Sequence, residues 1–219
     1  DEVIKNPMVK AITLTGSTPA GKAVAKKAGS VLKKTVLELG GSDPYLVLKD
    51  ADLDKASNAC LKGRLLNTGQ SCIAAKRFII EEAVKSKFEK MIVDKIKKQV
   101  IGDPFDENTT IGPMVSINAR NELIMQVKAS VRAGAKVLYK SLIPSVKNSA
   151  YHPVIVLTDV LPGMPAFDEE LFGPVASIIS AKDKASAIIL ANQTSFGLGA
   201  AVFTSDIEEG RRIAESELE

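Results

Sequence analysis

Several residue types and patterns are scarce in this sequence, and each scarcity excludes a class of protein. Two cysteines among 219 residues cannot form a disulfide framework, so we expect a reducing, cytoplasmic compartment. The two cysteines and the single histidine lie in unrelated sequence contexts, which argues against a zinc site, and we expect no metal. No apolar run approaches the roughly 18 residues of a membrane-spanning helix, and no signal peptide is recognisable. We therefore expect no membrane partner.

The chain also lacks a large excess of basic over acidic residues, or of acidic over basic ones. The formal net charge is +3, from 29 basic and 26 acidic residues, which is too small to indicate a nucleic-acid partner. Hydrophobic residues make up 45% of the chain, and 219 residues are ample material for a buried core. The composition is that of an ordinary globular protein.

Short apolar strands alternate with amphipathic helices along the chain. This order predicts an α/β fold with a mainly parallel sheet. Strands are predicted at 9–15, 35–39, 45–48, 77–80, 136–139, 154–157, 174–180 and 199–204, and helices at 19–28, from 50 or 52 to about 63, and at 84–99, 116–133, 183–192 and 206–217.

The connection between the second predicted helix and the strand at 77–80 has an unusual composition. It consists of Asn67-Thr68-Gly69-Gln70-Ser71-Cys72, a polar run that ends on a thiol. An ordinary connector uses turn residues and has no need of a cysteine. The small residues around the thiol leave room for a second molecule, so Cys72 is a candidate nucleophile.

The segment from Gly16 to Lys22 has the glycine and lysine spacing of a P-loop. Ala23 stands where such a loop needs a Mg²⁺-binding hydroxyl, and Pro19 removes one phosphate-binding N–H group. A P-loop-like nucleotide-binding protein therefore remains only an alternative. A helix start with Ser17 beside it can still bind a phosphate or pyrophosphate, although it can equally be a simple strand-to-helix turn.

Three other positions deserve a functional and a structural interpretation. Glu38 ends a predicted strand between leucines, where partial desolvation would suit a general base, although a glutamate pointing to water is the simpler explanation. Cys60 falls on the apolar stripe of its helix and is expected in the core. His152 would have to complete any Cys–His dyad, and no local pattern supports one.

The run Glu169 to Val175 is either a capped turn with Phe172 in the core or a site for sugar hydroxyls and a flat heterocycle.

Together and in this order, these pieces resemble the aldehyde dehydrogenase superfamily. The matching motifs are Thr15-Gly16-Ser17, Glu38-Leu39-Gly40-Gly41, Gly69-Gln70-Ser71-Cys72, Glu170-Leu171-Phe172-Gly173-Pro174 and Ser195-Phe196-Gly197-Leu198. The resemblance covers essentially the whole chain, and the run around Cys72 is most similar to bacterial NAD(P)-dependent succinate-semialdehyde dehydrogenases. Those enzymes often have an arginine directly before this run, where Leu66 stands here. The sequence therefore indicates the family more strongly than it indicates the substrate.

The resemblance implies a role for each residue. Cys72 would attack the aldehyde, its backbone N–H would bind the oxyanion, and Glu38 would activate water to hydrolyse the thioester. Gly16, Ser17, Leu39, Glu170 and Phe172 would bind NAD or NADP, with Ser17 at the pyrophosphate and Glu170 at the nicotinamide ribose. The fold expected is an aldehyde-dehydrogenase-like catalytic domain at 41–219 and the last βαβ piece of a Rossmann-like cofactor domain at 1–40.

Parts of the family pattern have no match in the sequence. These are the first strands of the cofactor domain, an oxyanion asparagine, a lysine for the adenine ribose, and a later segment that supports oligomerisation. The resemblance therefore implies a piece of a longer homo-oligomeric enzyme, and we expect the piece to be inactive alone. A non-catalytic domain of the same fold is the second alternative.

Overall fold

The computed structural model describes residues 2–219 and divides into two compact units, 1–40 and 41–219. Each unit is described by itself. The first contains helix α1 (Glu2–Lys5), strand β1 (Ala11–Thr15), helix α2 (Thr18–Gly29) and strand β2 (Lys34–Glu38). The two strands pair in parallel, so β1, α2 and β2 form one βαβ unit.

Helix α2 begins as its sequence predicts. The side chain of Ser17 accepts a hydrogen bond from the N–H of Ala20 as the N-cap, and Pro19 occupies the first turn. Gly21 lies close to the side chain of Leu39, since a β-carbon at position 21 would stand 2.5 Å from a Leu39 methyl carbon. The second glycine of the P-loop-like spacing thus permits close packing of α2.

The second unit is a six-stranded sheet with helices on both faces. Its strands are β3 (Pro44–Val47), β4 (Arg77–Glu81), β5 (Lys136–Lys140), β6 (Ile155–Thr158), β7 (Val175–Ala181) and β8 (Ala201–Phe203). Its helices are α3 (Leu53–Leu65), α4 (Glu82–Ile96), α5 (Ile117–Arg132), α6 (Pro165–Asp168), α7 (Lys184–Asn192) and α8 (Ile207–Ser216), with a 3₁₀ turn at Leu66–Gly69.

The strand order is β5-β6-β7-β4-β3-β8, and every pairing is parallel except that of β5 with β6. The predicted α/β fold with a mainly parallel sheet is confirmed, and each predicted strand and long helix is present within a few residues. The short helices α1 and α6 and the 3₁₀ turn were not predicted, because such brief elements carry no clear hydrophobic period.

Strand β4 occupies the centre of this sheet, and all five of its residues are buried. Phe78 and Ile80 pack with α3 and α4 on one face, while Ile79 belongs to the core cluster that includes α5 and α7 on the other. Cys60 of α3 is completely buried in the first of these clusters, as its position on the apolar stripe predicts. The connection that carries Cys72 therefore enters the central, fully buried strand of the unit.

Candidate active site

The segment before Cys72 has a backbone conformation that few sequences adopt. Asn67, Thr68 and Gly69 all have positive φ, at 50°, 57° and 74°. Positive φ is sterically unfavourable for a β-branched residue such as Thr68, so surrounding contacts must hold Thr68 in this conformation. Its hydroxyl donates to the carbonyl of Gly112 at 3.3 Å, and the next side chain, Gln70, accepts from the N–H of Val115 at 2.7 Å.

Arg64 holds the same turn from inside the protein. It is 1% exposed, and its Nη2 donates to the carbonyl oxygen of Gly69 at 2.7 Å. Burial lowers the pKa of this guanidinium to about 10, which the nearby carboxylates of Glu170 and Asp43 partly oppose. Arg64 therefore remains charged near neutral pH and supports the turn; it is not directed at a substrate.

Two of the sequence motifs meet at this turn. A β-carbon at Gly69 would stand 2.4 Å from the carbonyl oxygen of Gly173, so the chain after Phe172 packs directly against it. Leu171 is buried, whereas Phe172 is 41% exposed. The structural alternative that placed Phe172 in the core is wrong; its ring is available at the surface beside the cysteine loop.

Cys72 lies at the end of this supported turn. Its side chain is half-buried, and the following residue, Ile73, is exposed. Its carbonyl oxygen is held between Gly41, where a β-carbon would stand 2.8 Å away, and the Lys76 ammonium, which donates to it at 2.9 Å. No acceptor for the backbone N–H of Cys72 is found among residues 2–219. The arrangement offers an accessible thiol next to a free backbone donor.

Glu170 connects two parts of the second unit. Its Oε1 accepts from the N–H of Gly41 at 3.1 Å and lies 3.5 Å from the Lys76 ammonium. Within the described residues its Oε2 has no hydrogen-bond partner, which leaves one carboxylate oxygen for the hydroxyl groups of a ligand. This oxygen and the exposed ring of Phe172 are both open to a ligand.

The last matching motif approaches the same backbone. The side chain of Leu198 would lie 3.2 Å from a β-carbon at Gly41, and the N–H of Gly199 donates to the carboxylate of Asp43 at 3.2 Å. Burial raises the pKa of this carboxyl, and the nearby Lys76 opposes the rise. Gly41 is therefore enclosed by the cysteine loop on one side and the Leu198 segment on the other.

The remaining candidates belong to the first unit. The N–H of Gly16 donates to the carbonyl of Glu38 at 2.9 Å, which places these two residues side by side at the ends of β1 and β2. Gly16 and Ser17 are exposed at the start of α2, where free N–H groups suit a phosphate. The side chain of Glu38 is exposed too, so its own unit does not enclose it in the way expected of a general base.

His152 is excluded from the site by its own surroundings. It is 1% exposed, and its Nδ1 lies 2.7 Å from the carbonyl oxygen of Pro153. A carbonyl can only accept, so Nδ1 carries the proton when the ring is neutral. Burial lowers the pKa of His152 to about 4, which keeps it neutral at pH 7. His152 therefore has a structural role, in the packing of its own loop.

Three buried cations were missed by sequence reasoning. Lys76 is almost completely buried beside Cys72, Arg77 is completely buried at the start of β4, and Arg64 lies beneath the turn. Arg64 follows Ala56 and Cys60 at intervals of four on a buried helical stripe, a pattern that could have revealed it. Lys76 and Arg77 directly precede the apolar residues 78–80, which is a second available sign.

Two other classes of site receive no support. Within residues 2–219 there is no group of three or more histidine, cysteine or acidic side chains that could hold a metal ion. The helices of that same range include none with the length and apolar character needed to cross a membrane.

Comparison with known proteins places these features in one family. Residues 1–217 match the aldehyde dehydrogenase family. The chain is 47% identical over 213 residues to the Escherichia coli NAD(P)+ succinate semialdehyde dehydrogenase Sad, covering 97% of this chain and 46% of that protein. It is 45% identical to the Deinococcus radiodurans NADP(+) succinate-semialdehyde dehydrogenase, with 98% and 45% covered.

A solved structure agrees with the sequence matches. The succinic semialdehyde dehydrogenase of Streptococcus pyogenes, solved in complex with NADP+, superposes with a TM-score of 0.94 at 33% identity, covering 100% of this chain and 48% of that one. The chain thus spans about half the length of the relatives it matches.

Proposed function

Because the chain belongs to the aldehyde dehydrogenase family, we propose that it is the nucleophile-bearing part of an enzyme that oxidises an aldehyde to a carboxylic acid with NAD+ or NADP+. The substrate we propose is succinate semialdehyde or a related semialdehyde, which is what the names of its relatives state for those proteins. The half-buried thiol of Cys72, beside a free backbone N–H on a rigid turn, is the observation that carries this proposal.

The proposed chemistry uses the residues of this chain in sequence. The Cys72 thiolate attacks the aldehyde carbon and forms a thiohemiacetal, whose oxyanion binds the N–H of Cys72. A bound nicotinamide cofactor would supply the hydride acceptor, and loss of the hydride would leave a thioester on Cys72. Glu38 then takes a proton from the water that hydrolyses the thioester and frees the acid.

The cofactor contacts follow from the same residues. Gly16 and Ser17 present the start of α2 to the pyrophosphate, with Leu39 packed behind that helix. Glu170 offers its Oε2 to the nicotinamide ribose, and Phe172 offers its ring. In this proposal 1–40 is the C-terminal part of a dinucleotide-binding domain and 41–219 is the catalytic domain. The whole protein is proposed to work in the cytoplasm as a homo-oligomer.

This proposal is tested in two proteins. The 219-residue chain alone should form no NAD(P)H from succinate semialdehyde, because it spans only about half the length of the enzymes it matches. A chimaera in which this sequence replaces the matching segment of the Escherichia coli relative should regain activity within about tenfold of that relative's own. A folded chimaera that binds NADP+ but oxidises no aldehyde would refute the function.

Replacing Glu38 by glutamine in this chimaera separates the two halves of the reaction. Hydride transfer does not need the base, so a rapid first burst of NAD(P)H should persist in stopped-flow absorbance. Steady-state turnover should fall by about 10²- to 10⁴-fold, because hydrolysis of the thioester loses its general base. Glu2→Gln, another exposed glutamate of the first unit, is the control and should change neither phase. Loss of the burst itself in Glu38→Gln would assign Glu38 a different role.

A further inference from the structure

We infer that Lys76 is a positioning residue that orients and polarises the backbone N–H of Cys72. The inference rests on the function proposed above, in which this N–H binds the oxyanion. Lys76 is 2% exposed, and its ammonium donates to the carbonyl oxygens of Ser71 at 3.1 Å, Cys72 at 2.9 Å and Ala74 at 3.1 Å. An ammonium has three N–H donors, and here three backbone carbonyls surround it.

The bond to Ser71 fixes the direction of the catalytic donor. The carbonyl of Ser71 and the N–H of Cys72 belong to one peptide group, which is planar and trans, so the two point in opposite directions. Because Lys76 holds the carbonyl oxygen toward the interior, the N–H must point away from the ammonium. No acceptor among the described residues binds that N–H. The N–H of Ala74 donates to the same Ser71 oxygen at 3.1 Å, so Lys76 and this backbone bond together set the direction of the Cys72 donor.

The same contact changes the strength of the donor. A hydrogen bond from a charged group is stronger than one between neutral groups, and a bond at one end of a peptide polarises the other end. The Lys76 ammonium draws electron density toward the Ser71 oxygen, which leaves more positive charge on the N–H of Cys72. A neutral lysine amine would hold the peptide less firmly and polarise it less.

The groups around Lys76 make this charge adjustable near neutral pH. Glu170 faces the ammonium at 3.5 Å, while Arg64 of α3 and Asp43 ahead of β3 act on it through space. Burial and the Arg64 charge lower the pKa of Lys76 to about 8, against the opposing influence of Glu170 and Asp43. The adjacent Arg77 directs its guanidinium elsewhere, to the carbonyls of Ser42, Leu190 and Ala191.

The two cysteines allow a direct measurement. Labelling the chain with [¹⁵N]cysteine gives two amide signals, from Cys60 and Cys72. Methyl methanethiosulfonate should convert the accessible Cys72 thiol to a neutral mixed disulfide, while the completely buried Cys60 stays unmodified. We expect the Cys72 amide proton to move upfield as pH rises, with a midpoint near pH 8, since its polarising cation is lost. The Cys60 signal should stay constant.

Variants assign this titration to Lys76. Lys76→Met should hold the Cys72 signal near its high-pH position throughout. Lys76→Arg keeps its proton over this range and should hold the signal near its low-pH position. Arg77→Met is the matched control: it removes a buried cation that also binds three backbone carbonyls, none of them in the Cys72 loop, and should leave the titration intact.

The result contradicts the inference if the capped wild-type chain shows no Cys72 titration near pH 8, or if a folded Lys76 variant keeps the wild-type curve. Lys76→Arg and the wild-type curve decide the question if Lys76→Met does not fold. Because no substrate or cofactor is needed, these outcomes are independent of turnover. An inactive chimaera with the expected titration refutes the proposed function, whereas an active chimaera without the titration refutes only the role of Lys76.

Discussion

Replacing Cys72 by alanine in the active chimaera is expected to abolish NAD(P)H formation, with a loss of about 10⁴-fold or more. Alanine removes the sulfur that forms both the thiohemiacetal and the thioester, and within the described residues the other cysteine, Cys60, is fully buried and cannot substitute. Single-turnover absorbance should show no burst, since the step before hydride transfer is lost. NADP+ binding, measured by calorimetry, should change little.

The matched control for this prediction is Cys60→Ala. It removes a thiol from a packed core, so it should lower thermal stability and leave turnover per folded molecule unchanged. Burial also raises the pKa of the Cys60 thiol well above its usual range, which keeps it protonated and unreactive. If Cys72→Ala retained the burst, or if Cys60→Ala removed it, the nucleophile would be misassigned.

Local patterns predicted the elements of the fold because burial and period agree along most of the chain. Strand β4 has three successive apolar residues at its centre and all five residues buried, and α2 has proline in its first turn and a serine N-cap. Such features depend on residues close in sequence, so one sequence is enough to predict them. The antiparallel pairing of β5 with β6 joins two consecutive strands, and neither strand's own pattern specifies its direction relative to the other.

The candidate site shows where local patterns stop being informative. The motif around Cys72 identified the thiol, but not the turn with three successive positive φ angles that precedes it. That conformation is unfavourable for a threonine such as Thr68. The turn is stabilised by its contacts with Gly112, Arg64 and Gly173. Lys76 was overlooked for the same reason, because its partners are backbone carbonyls and a carboxylate nearly a hundred residues away.

Substituting Gly69 by alanine is expected to cost about 2–4 kcal/mol of stability and to separate the two loops of the site. The residue has φ of 74°, and a β-carbon there would meet the carbonyl oxygen and carbon of Gly173 at 2.4 and 2.6 Å. Gly173 has little freedom to withdraw, since its own α-carbon packs closely on Leu123 and Met114. The free energy of unfolding in urea measures the loss, and the rate of Cys72 alkylation by iodoacetamide reports the loosened loop.

Gly163→Ala separates the two causes of this expected loss. Gly163 also has a positive φ, of 91°, but no atom lies within 4 Å of the position that its β-carbon would occupy. It should therefore cost only about 1–2 kcal/mol, the penalty of the left-handed backbone alone, and leave Cys72 alkylation unchanged. The difference between the two variants is the cost of forcing the cysteine turn away from the Glu170–Phe172 segment. Equal losses in the two variants would show that this contact does not hold the thiol in place.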